Sequence, residues 1–160
     1  MVINIQGDEP LIDPGLINRL AEVMVQGSEW DMATAATPIH HRDELDKPSV
    51  VKVVFGERGR ALYFSRSVIP FVRDTAPAGL THWRHVGIYA YRREFLDRLV
   101  KTTPCVLEMA EKLEQLRALY LGGRMRVVET DEIGLGVDTP EDVKLAEIAL
   151  RKNGMVSVAS

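Results

Sequence analysis

Apolar positions along the chain recur with two different spacings. Alternating or β-branched runs at Val2–Ile5, Met32–Pro38, Val50–Phe55, Ala61–Ser65, Val86–Tyr91 and Arg126–Thr130 predict strands, the last five bounded by turn formers or charges. Between them the spacing becomes helical. Asp13 is placed to cap a helix with Pro14 at its first position, and Leu16, Ile17, Leu20, Val23 and Met24 fall on one face of it. Arg93–Val100 and Leu107–Leu121 predict two more helices, the second with an apolar stripe of Leu113, Leu116, Leu119 and Tyr120 that leaves Glu114 and Gln115 at or beyond its margin. Thr139-Pro140-Glu141-Asp142 has the pattern of a capping box opening a last helix. Gly56-Glu57-Arg58-Gly59 joins two strand-like runs and predicts a hairpin. This alternation predicts an α/β fold with an antiparallel section in its middle. We expect one α/β domain over residues 1–152 and a frayed tail over 153–160.

Composition narrows the class without changing that picture. With 160 residues, 46% hydrophobic and 27% charged, the chain can bury one core. No apolar stretch approaches the roughly 18 residues that span a bilayer, and no basic leader precedes an apolar segment, so a cytoplasmic location is expected. The lone cysteine, Cys105, has no partner for an intrachain disulfide and is expected to pack as a small hydrophobe. A net charge of −3 without a long basic block argues against a nucleic-acid surface, while leaving room for local basic pockets.

Candidate chemistry begins with two aspartates. Asp8 follows the strand Val2–Ile5 in the Gly/Pro-marked turn Gln6-Gly7-Asp8-Glu9-Pro10, and Asp138 sits in a similar loop far along the chain. Carboxylates in such loops suit one shared divalent cation, although capping is the plainer role for either alone. His85 and Tyr89 are four apart on a strand-like run and therefore share a face. No Cys or His stands at metal-ligand spacing from His85, and His40-His41 read as solvated loop. Glu114 and Arg117 have the spacing of an exposed helical ion pair. Lys52, alone among the apolar residues of Val50–Phe55, either marks an open sheet edge or points into a functional cleft.

Five blocks then occur in order: Val2-Ile-Asn-Ile-Gln-Gly-Asp-Glu-Pro10, Ala61-Leu-Tyr-Phe-Ser-Arg66 with Ile69-Pro70, His85-Val-Gly-Ile-Tyr-Ala-Tyr-Arg92, Leu113-Glu-Gln-Leu-Arg117, and Gly136-Val-Asp-Thr-Pro-Glu-Asp142. Together they cover nearly the whole chain and closely resemble the 3-deoxy-manno-octulosonate (Kdo) cytidylyltransferases, the CMP-Kdo synthetases of lipopolysaccharide assembly. The resemblance implies a nucleotidyltransferase-like three-layer sandwich with a mixed sheet. It implies transfer of a cytidylyl group from CTP to Kdo with Mg²⁺ held by Asp8 and Asp138 as the catalytic pair. It implies that Gln6, Arg66, His85, Tyr89, Glu114 and Gln115 contact Kdo, with Arg66 on the sugar carboxylate and Arg73 as a further candidate. A homodimer through the middle strands and the helix near Leu107–Leu121 is implied as well.

Family members also carry an N-terminal nucleotide-binding loop of the Leu-Pro-Gly-Lys type, which has no counterpart in this sequence. The resemblance therefore implies an N-terminally truncated sandwich whose Val2–Ile5 edge is exposed and which alone does not make CMP-Kdo. Two readings stand open: part of a working cytidylyltransferase, whether as an incomplete record or as a half that meets its missing segment on another chain, or a non-catalytic sugar-acid-binding or dimerisation module. A CMP-sialate synthetase would share the chemistry, but the His85–Tyr91 and Leu113–Arg117 blocks favour Kdo.

Overall fold

The computed structural model describes residues 1–5 and 12–131, together with positions 143, 144, 147 and 148. Asp13 caps α1 (Pro14–Gln26), its carboxylate accepting the N–H groups of Gly15 at 2.9 Å and Leu16 at 2.7 Å. Those bonds satisfy donors that the first helical turn leaves free. Leu16, Leu20 and Met24 then fall on one buried face of α1.

Six strands form one mixed sheet: β1 (Val2–Ile5), β2 (Met32–Pro38), β3 (Lys52–Phe55), β4 (Ala61–Ser65), β5 (Trp83–Tyr91) and β6 (Met125–Glu129). The order is β4-β3-β5-β2-β6, and among the described residues only β2 and β6 run parallel. β2 pairs along one side of β5, while β3 and β1 share its other side, β3 at Trp83 and Arg84 and β1 from Ile88 to Tyr91. Among the described residues no strand partner stands opposite Gly87 on that side.

Each face of the sheet has its own core. On one, α1 packs on Ala33, Ala35, Val86, Ile88, Ala90 and Val128. On the other, Met32, Val53, Phe64, Tyr89, Met125 and Val127 meet Phe95 and Leu99 of α3 (Arg93–Lys101) and Leu116 and Ala118 of α5 (Gln115–Tyr120). Alanines in β2, fully buried, let both layers approach the sheet closely. The result is the expected three-layer α/β sandwich, with the antiparallel section running through β3, β4 and β5.

Several predicted elements change shape. The helix expected over Leu107–Leu121 is two, α4 (Val106–Glu111) and α5, separated where Lys112 adopts the left-handed conformation at φ 54°. Tyr120 consequently leaves the apolar stripe and is 64% exposed, whereas Gln115 is buried. β5 starts at Trp83 rather than Val86, which brings His85 inside the strand. A short helix α2 (Arg42–Leu45) follows His40 and His41, both exposed as expected of loop residues. Gly56 to Gly59 joins β3 to β4 as predicted, through a turn of 3₁₀ helix at Glu57–Gly59. Cys105 is buried. Among the described residues no helix is long and apolar enough to cross a membrane. The capping pattern at Thr139–Asp142 and the tail 153–160 lie outside the described residues.

Lys52 occupies neither position expected of it. β3 lies between β4 and β5, so it is no open edge, and the side chain is fully buried rather than directed into a cleft. Its ammonium donates to the carbonyl oxygens of Lys47 at 3.0 Å, Val50 at 2.6 Å and Arg66 at 2.5 Å. An ammonium has three donors, and here every one is used. Burial pushes Lys52 below the usual lysine range, with Asp46 and Glu111 pulling it back up.

Candidate functional site

Period two along β5 places His85, Gly87, Tyr89 and Tyr91 on the face opposite α1, where they line a cleft of about 730 Å³. β1 adds Val2 and Asn4 from the same face, since Asn4 pairs with Tyr89 and Val2 with Tyr91. Arg66 enters from the end of β4, and Lys112, Glu114, Gln115 and Arg117 from α5 and the bend before it. The split between α4 and α5 is what turns Glu114 and Gln115 towards the sheet. The cleft thus collects Arg66, His85, Tyr89, Glu114 and Gln115 from three separate stretches of sequence.

The guanidinium of Arg66 is anchored on its inner side. Nε–H donates to the carbonyl of Glu111 at 2.7 Å, one terminal nitrogen to Pro48 at 2.9 Å and the other to Lys112 at 3.4 Å. One N–H on each terminal nitrogen remains without a partner among the described residues, so the guanidinium keeps donors for an anionic group. Arg84 also lines the cleft, with no ion pair or hydrogen bond from its side chain among the described residues. Arg66 and Arg84 are half-buried, Lys112 adds an exposed cation, and among the described residues Glu114 is the one acid in the lining. The balance favours an anionic ligand that also carries hydroxyls.

Two neutral polar groups sit at the floor. The His85 ring packs edge-on against Phe64 at 5.0 Å and is tilted on Tyr89 at 5.4 Å. Burial pushes its imidazole down from 6.5 to about 3, so the ring is uncharged near neutral pH. Burial, reinforced by Tyr91 and Glu114, drives the Tyr89 phenol well above its usual range, and Tyr91 is pushed up to about 12 for the same reasons of burial and the Glu114 charge. Both phenols keep their protons and can donate as well as accept.

Arg117 behaves differently from its sequence reading. Rather than an exposed pair with Glu114, it forms a largely buried ion pair with Glu108 of α4, Nε to Oε2 at 2.9 Å, and donates to the carbonyl of Thr102 at 2.7 Å. Nε and Oε2 are off the hydrogen-bond direction, so their contact is ionic. Arg73 is exposed, pairs with Asp74 at 3.0 Å and does not line the cleft. Gln6, Asp8 and Asp138 lie outside the described residues, although Ile5, which precedes Gln6, pairs with Ile88 beside Gly87 in the lining. Among the described residues no group of three or more His, Cys, Asp or Glu could hold a metal ion.

Sequence reasoning missed Asn4, Thr34, Glu111 and Arg84. Asn4 carried a readable signal, the one polar residue of Val2–Ile5, and Thr34 a weaker one, since Met32–Pro38 also holds Thr37. Glu111 carried none, because its role arises from the break after α4.

A family model described as Cytidylyltransferase matches residues 1–130. The chain is 48% identical over 158 residues to the 3-deoxy-manno-octulosonate cytidylyltransferase of Bdellovibrio bacteriovorus, covering 97% of this chain and 64% of that protein. It is 49% identical over 146 residues to the enzyme of the same name from Polynucleobacter necessarius, covering 90% and 58%. Among solved structures it is similar to CMP:2-keto-3-deoxy-manno-octonic acid synthetase complexed with CTP, with a TM-score of 0.87 and 39% identity over 94% of this chain and 61% of the other. The chain therefore spans about three fifths of the length of these relatives.

Proposed function

The chain belongs to the cytidylyltransferase family, and from that premise we propose that it forms the sugar-acid side of a CMP-Kdo synthetase. In this reading the anomeric hydroxyl of Kdo attacks the α-phosphorus of CTP, the new P–O bond forms as the bond to pyrophosphate breaks, and the hydroxyl proton is lost to solvent. The observation that carries the reading is the cleft: a cation with free donors, Arg66, lines it together with neutral His85 and Tyr89 and with Glu114 and Gln115. A carboxylated polyol needs that mixture of one cation and several uncharged donors and acceptors.

Arg66 would orient the sugar carboxylate through its terminal N–H groups, leaving His85, Tyr89, Glu114 and Gln115 to the hydroxyls. Fixing the nucleophile in line with the phosphorus is the main service such a pocket gives. Mg²⁺, assigned to Asp8 and Asp138, would neutralise charge growing on the phosphate oxygens. Gln6, beside Asp8 in sequence, is assigned to the sugar, and Arg73 stays a more distant candidate. We place the activity in the cytoplasm and the protein in a homodimer. The exposed Val100, Val106, Met109 and Tyr120 on α3 to α5 support association through that layer.

The test is pyrophosphate release by protein from the complete reading frame, given CTP, Mg²⁺ and either Kdo or N-acetylneuraminate. Turnover with Kdo alone supports the reading, and turnover with neither, or with the sialic acid in preference, rejects it. Asp8→Asn and Asp138→Asn should each abolish Mg²⁺-dependent turnover with circular dichroism unchanged, and wild-type rates in both would remove the metal assignment. Sedimentation equilibrium at micromolar concentration tests the dimer, and a monomer mass rejects it.

A further inference from the structure

Thr34 is fully buried in β2 and faces β5 at the point where their register breaks. Its hydroxyl oxygen stands 2.8 Å from the carbonyl oxygen of Ile88, 3.3 Å from that of Val86 and 2.9 Å from Nε2 of His85. A hydroxyl has a single proton and two lone pairs, while a carbonyl oxygen can only accept. Were the proton given to Nε2, both carbonyl oxygens would face Oγ1 lone pairs at hydrogen-bond distance in a buried site, whereas donation to Ile88 leaves only the farther oxygen, that of Val86, so placed. Donation to the nearer carbonyl, Ile88, is the arrangement that closes, and Oγ1 then accepts. Its third neighbour must therefore present an N–H.

We infer that Thr34 is a positioning residue that holds His85 as the Nε2–H tautomer, so that Nδ1 offers a lone pair to a ligand hydroxyl in the cleft. Nδ1 has no partner among the described residues, and His85 lines the cleft. The neutrality that burial imposes on the ring keeps Nδ1 unprotonated near neutral pH. The site is thus selective for a hydroxyl that can donate there, and unreceptive to an ether or carbonyl oxygen, which would meet lone pair against lone pair. The register break is what makes this possible, since it turns two carbonyls of β5 onto one side chain of β2. The tautomer is a property of the unliganded protein, whereas its use on a sugar hydroxyl rests on the proposed function.

The experiment is long-range ¹H–¹⁵N correlation of the imidazoles in protein from the complete reading frame, with His85 assigned by His85→Gln. The wild type should show a protonated Nε2 and an unprotonated Nδ1, Thr34→Ser should keep that pattern, and Thr34→Val should populate the Nδ1–H form. In kinetics, Thr34→Val should raise KM for the sugar acid roughly three- to tenfold, the weight of one hydrogen bond, with KM for CTP unchanged and Thr34→Ser near wild type. A wild-type Nδ1–H ring, or an unaltered tautomer in Thr34→Val, overturns the inference. Where Thr34→Val fails to fold, the wild-type tautomer decides. The expected tautomer in a protein that does not bind Kdo would reject the functional reading and leave the positioning role of Thr34 standing.

Discussion

Glu111 holds Arg66 at both ends: its carboxylate accepts the backbone N–H of Arg66 at 2.9 Å, and its carbonyl accepts Nε–H of the same residue at 2.7 Å. The carboxylate also receives Ser65 Oγ at 2.7 Å, tying the end of β4 to the end of α4. Arg66 is a long, flexible side chain, and ordering it against a ligand would otherwise be opposed by about 2 kcal/mol of rotamer entropy. Glu111→Ala keeps the backbone carbonyl but unties the end of α4 from β4, so the carbonyl is no longer fixed against Nε. KM for the sugar acid should therefore rise several-fold, about one hydrogen bond's worth, with KM for CTP little changed, and unfolding free energy should fall by about 1–3 kcal/mol. Steady-state kinetics with each substrate varied, together with urea denaturation, measures both. Equal rises in the two KM values would show a general loss of structure instead.

Lys52 supports Arg66 from the other side, through its carbonyl. Replacing Lys52 by Met keeps most of the apolar stem but strands the carbonyls of Lys47, Val50 and Arg66. We expect a loss of about 2–3 kcal/mol, less than three separate bonds would suggest because the loop carbonyls can turn to water. The denaturant midpoint should fall at constant m-value. An unchanged midpoint would mean that the buried ammonium costs as much as its bonds return.

The ion pair of Glu108 and Arg117, with side chains 10% and 15% exposed, joins α4 to α5 across the bend. Removing one partner leaves a charge facing the interior, so Glu108→Leu should cost about 3 kcal/mol or more. Removing both, as Glu108→Leu with Arg117→Met, should recover much of that loss, because the desolvation of both charges disappears with them. A double-mutant cycle by chemical denaturation gives the coupling directly. Additive losses would deny that the pair acts as a unit.

The strands were legible because apolar alternation is dictated by burial on a sheet, and α1 because Asp13, Pro14 and the Leu16, Leu20, Met24 face agree with one another. The shared face of His85 and Tyr89 followed from the same arithmetic. What escaped was tertiary. The break at Lys112 has no Gly or Pro to announce it, and the left-handed lysine stands beside Glu111, whose bonds to Ser65 and Arg66 help to offset the strain. Lys52 looked like an edge or cleft residue because sequence cannot show three carbonyls converging from two loops. Arg117 was assigned to Glu114 by spacing, but the bend delivered it to Glu108.

His85 supplies a prediction in pH. Its folded value is depressed from 6.5 to about 3 by burial, so between those values the unfolded chain binds the proton and the folded one does not. Stability from this residue is fully present above 6.5 and is lost as pH falls towards 3, the sign expected when the unfolded state is the better base. Between about pH 7 and about pH 5 the wild type should lose roughly 1–2 kcal/mol more than His85→Gln, which has no proton to take up. Over the same range the His85 ring resonances should stay constant. A His85 titration near 6.5 would show that the ring is solvated, and with it would go the argument that the cleft holds a neutral acceptor.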